Sequence, residues 1–211
     1  TDIWSINPST SATFFKTEGT VTGGVFPRAL VFTNTNPVVA KEGAGYKVII
    51  TSGGDDRTAN FTINGAIVGQ LTEQGQVPNP NNPEVLAGGN AGAVTSAYFY
   101  SRIDSITISK AAAGTVAVGT TGDLALPRCR IKGFYVLGDA GAGSLKINRF
   151  SYTTSAYPTV AVESLLDITT PAGATLTQFL SLPGQGILTG QQHNDFAVVT
   201  LDGADYSLFC G

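Results

Sequence analysis

The chain has 211 residues, of which 42% are hydrophobic, and a net charge of −3. That length suits one large or two small domains, and the apolar fraction is sufficient for a buried core. The 12 lysines and arginines are scattered singly, whereas nucleic-acid binding needs a basic face. No apolar run approaches the roughly 20 residues of a membrane-spanning helix, and the first residues lack the features of a signal peptide. We therefore expect no nucleic acid and no membrane among the partners.

The composition favours an all-β fold. Charged residues make up 13% of the chain, against about 25% in an average soluble protein. The 26 glycines and 10 prolines suit short strands joined by tight turns. No stretch of about a dozen residues has the 3.6-residue period of a helix. Short strands with turn signals between them are typical of sandwiches and barrels.

Residues 1–16 are predicted to form an extended N-terminal arm. Its apolar residues are Trp4, Ile6, Phe14 and Phe15, which polar residues separate. Aromatic residues without a period of their own indicate packing on another surface, either this chain's own domain or a neighbouring subunit. We predict that these four residues form a subunit or capsid interface. Residues 25–32 contain a proline and suit either a strand or a single helical turn.

Residues 17–126 are predicted to form a first β-domain. Strands are expected at 46–51, 94–100, 103–109 and 115–119, with a turn at 110–114. Residues 59–64 and 66–73 are predicted to form a hairpin around Gly65. The prolines of PNPNNP at 78–83 indicate an exposed loop. GTTGDLALP at 119–127 is interpreted as the end of the domain and a short linker.

Residues 127–211 are predicted to form a second β-domain. Strands at 131–137 and 144–150 are joined by the glycine-rich turn GDAGAG, and further short strands follow at 165–169, 178–182, 186–188, 195–200 and 206–209. The predicted fold is therefore two small antiparallel β-sandwich or jelly-roll-like domains with an N-terminal arm. One continuous domain is the alternative.

Three motifs invite a chemical interpretation, and each has a plainer one. GDAGAGS at 138–144 resembles a phosphate loop, but a strand-like segment follows it where a helix is needed. Asp55 and Asp56 supply too few oxygens for calcium unless other subunits contribute, so we expect a solvated turn. His193 and Asp195 lie in a polar loop without a nucleophile motif. We predict no catalytic residue, no metal and no cofactor.

The two cysteines, Cys129 and Cys210, leave a disulfide open. Cys129 precedes a predicted strand, Cys210 is the penultimate residue, and the first and last strands of β-domains often pair. We nevertheless favour two buried free thiols, since thiols without a secretory signal usually stay reduced. Sugar binding would need exposed aromatic residues, and the candidates are Tyr98, Phe99, Tyr100, Tyr152 and Tyr157. For Tyr98 and Tyr100, strand alternation predicts a buried face.

Several segments together resemble structural virion proteins of tailed bacteriophages. In the first domain these are FTINGAIVGQLTE, YFYSRIDSITIS and TVAVGTTGD, and in the second IKGFYVLGDAGAGSLKI, LLDITTPAG, LSLPGQGIL and LDGADYSLFCG. They lie between residues 61 and 211 and together comprise 80 of the 211 residues. The loop PNPNNPEVLAGGNAGA has no counterpart in the module.

The resemblance implies a non-enzymatic virion protein. The preferred role is a capsid decoration (cement) protein that binds the major capsid protein as a homo-oligomer, for which we expect a trimer. A tail, collar or head–tail adaptor component is the alternative, and a receptor- or glycan-binding module is a further one. The expected location is the phage particle, after synthesis in the bacterial cytoplasm.

Overall fold

The structure, a computed structural model, describes residues 2–6, 11–22, 24–31, 44–72, 75–78, 83–137, 143–151, 161–170, 178–182, 184, 186–189, 195–202 and 205–210. These residues form strands, turns and bends and contain no helix. The predicted all-β class is therefore confirmed. No helix in the described ranges has the length and apolar character needed to cross a membrane.

The described residues form sixteen strands. In chain order they are β1 (Asp2–Ile6), β2 (Ser11–Thr20), β3 (Arg28–Ala29), β4 (Gly45–Ser52), β5 (Asn60–Thr72), β6 (Gly75–Pro78), β7 (Glu84–Ala87), β8 (Ala93–Ile108), β9 (Thr115–Leu126), β10 (Arg130–Leu137), β11 (Gly143–Phe150), β12 (Glu163–Thr170), β13 (Gln178–Ser181), β14 (Ile187–Leu188), β15 (Phe196–Asp202) and β16 (Asp205–Cys210).

The chain divides into two compact units. The N-terminal unit is Thr10–Thr121, and the C-terminal unit is Gly122–Gly211 together with Thr1–Ser9. The first nine residues therefore group with the end of the chain, and the change of unit falls inside β9. The arm at 1–16 and the domains at 17–126 and 127–211 stay a prediction.

The N-terminal unit is built around the antiparallel strands β4, β8 and β5. In β5, Phe61 and Ile63 are fully buried and lie opposite Ile108 and Ile106 of β8, which are buried as well. The residues between them, such as Thr62, are partly exposed. This alternation is the period of a strand with one face in the core. The apolar residues at every second position therefore make this core.

Two predicted features of the first β-domain are wrong. β5 runs without a turn from Asn60 to Thr72, and Gly65 marks a register shift against β8 where a hairpin had been predicted. The predicted linker at 119–127 is instead strand as far as Leu126. Leu124 and Leu126 are buried, so this small-residue segment belongs to a sheet.

The C-terminal unit contains strands of two sheets. In one, the order is β1-β16-β10-β13, with β14 also on β10, and in the other β12 pairs with β11 and β11 with β15. The last three residues of β9 pair with β15. The buried apolar residues include Ile131, Phe134, Leu145, Ile147 and Leu208. The rings of Phe150 and Phe196 stack with centroids 5.4 Å apart.

The predicted strands at 131–137 and 144–150 are confirmed as β10 and β11, but they do not form a hairpin. β10 pairs with β13, β14 and β16, while β11 pairs with β12 and β15. Each strand is flanked on both sides within its own sheet, so the glycine-rich segment between them connects two sheets. Residues 138–142 themselves lie outside the described ranges.

Candidate functional site

The four predicted interface residues lie in the first two strands. Trp4 and Ile6 are in β1, opposite Leu208 and Tyr206 of β16. Phe14 and Phe15 are in β2, which pairs with β9. The side chains of all four lie outside the described part of the structure, so their role as an interface stays a prediction. Removing residues 1–15 would delete strands as well as side chains.

Two exposed valines lie on the segment between β2 and β4. Val25 is 89% exposed and Val31 is 75% exposed. Between them, Leu30 is buried and donates its backbone N–H to Ile106 O at 2.8 Å, which fixes this end of the segment on β8. Arg28, Ala29 and Val31 line a shallow depression of about 140 Å³. Ligand pockets usually have volumes of about 300–1,000 Å³. This depression is smaller than that, so it suits contact with the surface of another protein.

Three loops of the N-terminal unit meet around Asp56, and they comprise residues 52–58, 88–92 and 110–115. Their backbones are in direct contact. Gly53 N–H donates to Thr115 O and Ala91 N–H donates to Gly54 O, both at 2.8 Å. A Cβ added to Gly114 would lie 2.6 Å from the backbone nitrogen of Gly54. Glycine is therefore required there by the close approach of two main chains.

The adjacent carboxylates of this loop cluster have different environments. Asp56 is 2% exposed, its Oδ1 accepts from Ala113 N at 2.6 Å, and its buried Oδ2 has no hydrogen-bond partner among the described residues. Asp55 is exposed and paired with Arg57, whose side-chain hydrogen bonds lower the pKa of Asp55 to about 2. The predicted solvated turn is correct for Asp55 and wrong for Asp56. The described residues contain no group of three His, Cys, Asp or Glu placed to hold a metal.

A second buried carboxylate, Glu84, begins β7. It is 7% exposed, and its two oxygens accept from Ala97 N and from the Tyr100 hydroxyl, both at 2.7 Å. Burial raises its pKa, against the lowering effect of these hydrogen bonds and of the Lys47 charge. Lys47 also lies over the Phe99 ring, 5.2 Å from the centroid. The arrangement joins β7 to β8 through the Glu84 carboxyl group, whose ionised form is disfavoured by burial.

The remaining sequence candidates are dispersed. Tyr98 and Tyr100 are both buried, so neither offers an exposed ring to a sugar. His193 lies outside the described ranges, and Asp195 is buried at the start of the segment that leads into β15. Nothing in the described structure brings these residues together.

The cysteines lie near the same strand, β10. Cys210 pairs in register with Ile131, and Cys129 lies two residues before Ile131 in the sequence. The hydroxyl of Thr189 donates to the Cys129 carbonyl oxygen at 2.9 Å and accepts from Cys129 N at 2.7 Å. The side chain of Cys210 lies outside the described part, so the disulfide stays an open prediction.

Comparison with protein-family models, curated proteins and solved structures finds no match to this chain.

Proposed function

We propose that this chain is a non-enzymatic structural virion protein of a tailed bacteriophage, and that it decorates the capsid by binding the major capsid protein. The sequence resemblance described above is the reason for the virion assignment. The all-β architecture suits it, because antiparallel sheets joined by tight loops give a rigid body that presents surfaces. The C-terminal unit has strands in two separate sheets, as a small sandwich requires.

The observation that carries the attachment role is the exposure of Val25 and Val31 on one short segment. Isolated exposed apolar residues are ordinary, whereas apolar residues grouped on one surface segment mark interaction sites. The segment is fixed at Leu30 and ends in exposed side chains, so little of it needs to be ordered on binding. Trp4, Ile6, Phe14 and Phe15 remain the second predicted interface.

A charge placed on this segment tests the proposal. Burying one valine contributes about 1.5–3 kcal/mol, so Val25→Asp or Val31→Asp is expected to weaken capsid binding by about tenfold or more. Val162→Asp is the matched control, because Val162 is also exposed, at 50%, but lies on the C-terminal unit. Binding is measured by sedimentation of purified protein with particles that lack it. If all three variants bind the particles equally well, the segment that carries Val25 and Val31 is not part of the interface.

Copy number tests the broader assignment. Decoration predicts a copy number set by the capsid lattice, and a tail or collar role predicts the few copies of a ring. Cryo-electron microscopy of the particle measures this directly. Glycan binding by an array assay, with no association with particles, would overturn the structural role.

A further inference from the structure

Asp56 carries a buried carboxyl group that the described residues satisfy only in part. Its Oδ1 accepts from Ala113 N at 2.6 Å, whereas its Oδ2 is buried and has no hydrogen-bond partner among the described residues. None of the ion pairs in the described ranges includes Asp56. Buried carboxylates in proteins are normally paired with a cationic side chain or bound to a metal ion. The second oxygen of Asp56 is therefore available to a ligand.

A second buried oxygen of the same loop cluster is unsatisfied as well. Ser52 is 2% exposed, and its Oγ has no hydrogen-bond partner within the described part of the chain. Ser52 is the last residue of β4, where it follows Val48 and Ile50 at every second position on the buried face of the strand. Its hydroxyl therefore points into the N-terminal unit, at the end where the three loops meet.

The main chain brings Ser52 and Asp56 together on one turn of the second loop. Ser52 N donates to Gly92 O at 3.0 Å, and Asp56 N donates to Gly89 O at 2.8 Å. Gly89 and Gly92 are themselves adjacent, since a Cβ added to Gly89 would collide with Gly92 O. The two residues with an unsatisfied oxygen are thus fixed at neighbouring points of the loop cluster.

We propose that the loop cluster around Asp56 binds one metal cation of the kind that prefers oxygen ligands, sodium or calcium, through Asp56 Oδ2 and Ser52 Oγ. Main-chain carbonyl oxygens complete such sites together with carboxylates and water. The carbonyl oxygens of Gly54, Gly89 and Thr115 each accept one hydrogen bond between the loops and have a second lone pair. A single carboxylate implies weak binding, because calcium affinity rises with the number of charged ligands.

The ion would stabilise the fold, because the three loops that surround it come together only in the folded chain. A ligand that binds the folded state alone raises the stability by an amount that grows with its concentration. The proposal does not depend on the virion assignment. It also separates the two adjacent carboxylates, since Asp55 is exposed and already paired with Arg57.

Thermal unfolding of the full chain tests the proposal without any substitution. The protein is freed of metal with a chelator and melted in choline chloride, in sodium chloride, and in choline chloride with added calcium chloride, all at one ionic strength. Sodium or calcium at ten times its dissociation constant should raise the Tm by about 3–6 °C over choline. The salt that gives the rise identifies the ion. Equal Tm values in all three solutions would overturn the proposal.

Two variants locate the ion, and a third is the matched control. Asp56→Asn keeps the shape of the side chain but removes its charge, so the rise in Tm should disappear. Ser52→Ala should need a higher concentration of the ion for the same rise. Asp55→Asn removes a charge one residue away that is not a ligand, so the rise should persist. A rise that survives in Asp56→Asn, or that disappears equally in Asp55→Asn, would overturn the proposal.

Calorimetric titration serves if Asp56→Asn fails to fold. Calcium chloride or sodium chloride, whichever raised the Tm, is titrated into the metal-free wild type and into Ser52→Ala. Wild type should bind the ion with saturation, and Ser52→Ala should bind it more weakly. Identical titrations of the two proteins would place the ion elsewhere and overturn the proposal.

Discussion

Substitution of Glu84 by Gln should change how stability depends on pH. Burial raises the pKa of Glu84 in the folded protein above its unfolded value of about 4.5. A group with a raised folded pKa stabilises fully below the unfolded pKa, and its contribution is lost as pH rises through the folded pKa. The wild-type protein should therefore lose stability relative to Glu84→Gln as pH rises from about 4.5 toward neutrality.

The size of the contribution follows from the two hydrogen bonds. Glu84→Ala removes the acceptor of the buried Tyr100 hydroxyl, at about 1–3 kcal/mol, and that of the part-buried Ala97 N–H, at a smaller cost. Glu84→Gln keeps the shape, because its amide oxygen can accept from Ala97 while its NH₂ donates to the Tyr100 oxygen. Glutamine should therefore cost far less than alanine near pH 4.5.

Urea denaturation followed by circular dichroism, at several pH values between 4.5 and 7.5, measures both variants and the wild type. Hydrogen exchange at the Ala97 amide adds a local measurement, since that N–H donates to Glu84 itself. Tyr100→Phe is the matched control, because it removes one hydroxyl and leaves the carboxyl in place. Parallel stability curves for wild type and Glu84→Gln would refute the argument that burial dominates the pKa of Glu84.

Three further outcomes are expected. Gly65→Ala should destabilise by about 1–3 kcal/mol or more, measured by urea denaturation, because the new Cβ would collide with the backbone oxygen of Arg102 on β8; unchanged stability would contradict the close approach. Thr189→Val should cost about 1–3 kcal/mol and speed hydrogen exchange at Cys129, whose N–H donates to the Thr189 hydroxyl. The lowered pKa of Asp55 stabilises the folded protein above the unfolded value of 3.8, and this stabilisation is lost as pH falls from 3.8 to about 2. Asp55→Asn should therefore abolish the loss of stability over that pH range. Identical acid titrations of the two proteins would contradict this prediction.

The fold class and several strands could be predicted from the sequence because alternation is a local signal. Tyr46 and its neighbours, and the two segments on either side of GDAGAG, have strand patterns that the structure keeps as β4, β10 and β11. Strand pairing depends on distant residues and was harder to predict. Gly65 looks like a turn in the sequence, but β8 lies alongside it and the strand continues with a shifted register.

The buried carboxylates could not be located from the sequence. Asp56 lies in a run of glycine, aspartate and arginine that is typical of a solvated turn, and it becomes buried because two other loops close over it. Glu84 follows a proline-rich loop and accepts from residues on β8 that are distant in sequence. Trp4 was predicted to lie in an arm because its segment is too short and too polar to show a strand period, yet it pairs with β16.

The close backbone contact of the loops around Asp56 limits where the chain can be lengthened. Loop tips usually accept inserted peptides, but only where the backbone is exposed and makes few hydrogen bonds. Gly54 and Gly114 meet main chain to main chain, and Asp56 N–H donates to Gly89 O at 2.8 Å. A tag or displayed epitope inserted at any of the three loops would separate all of them at once. The surface at the loop ends of β4, β7 and β8 is therefore a poor place for a fusion, although its sequence is among the richest in glycine.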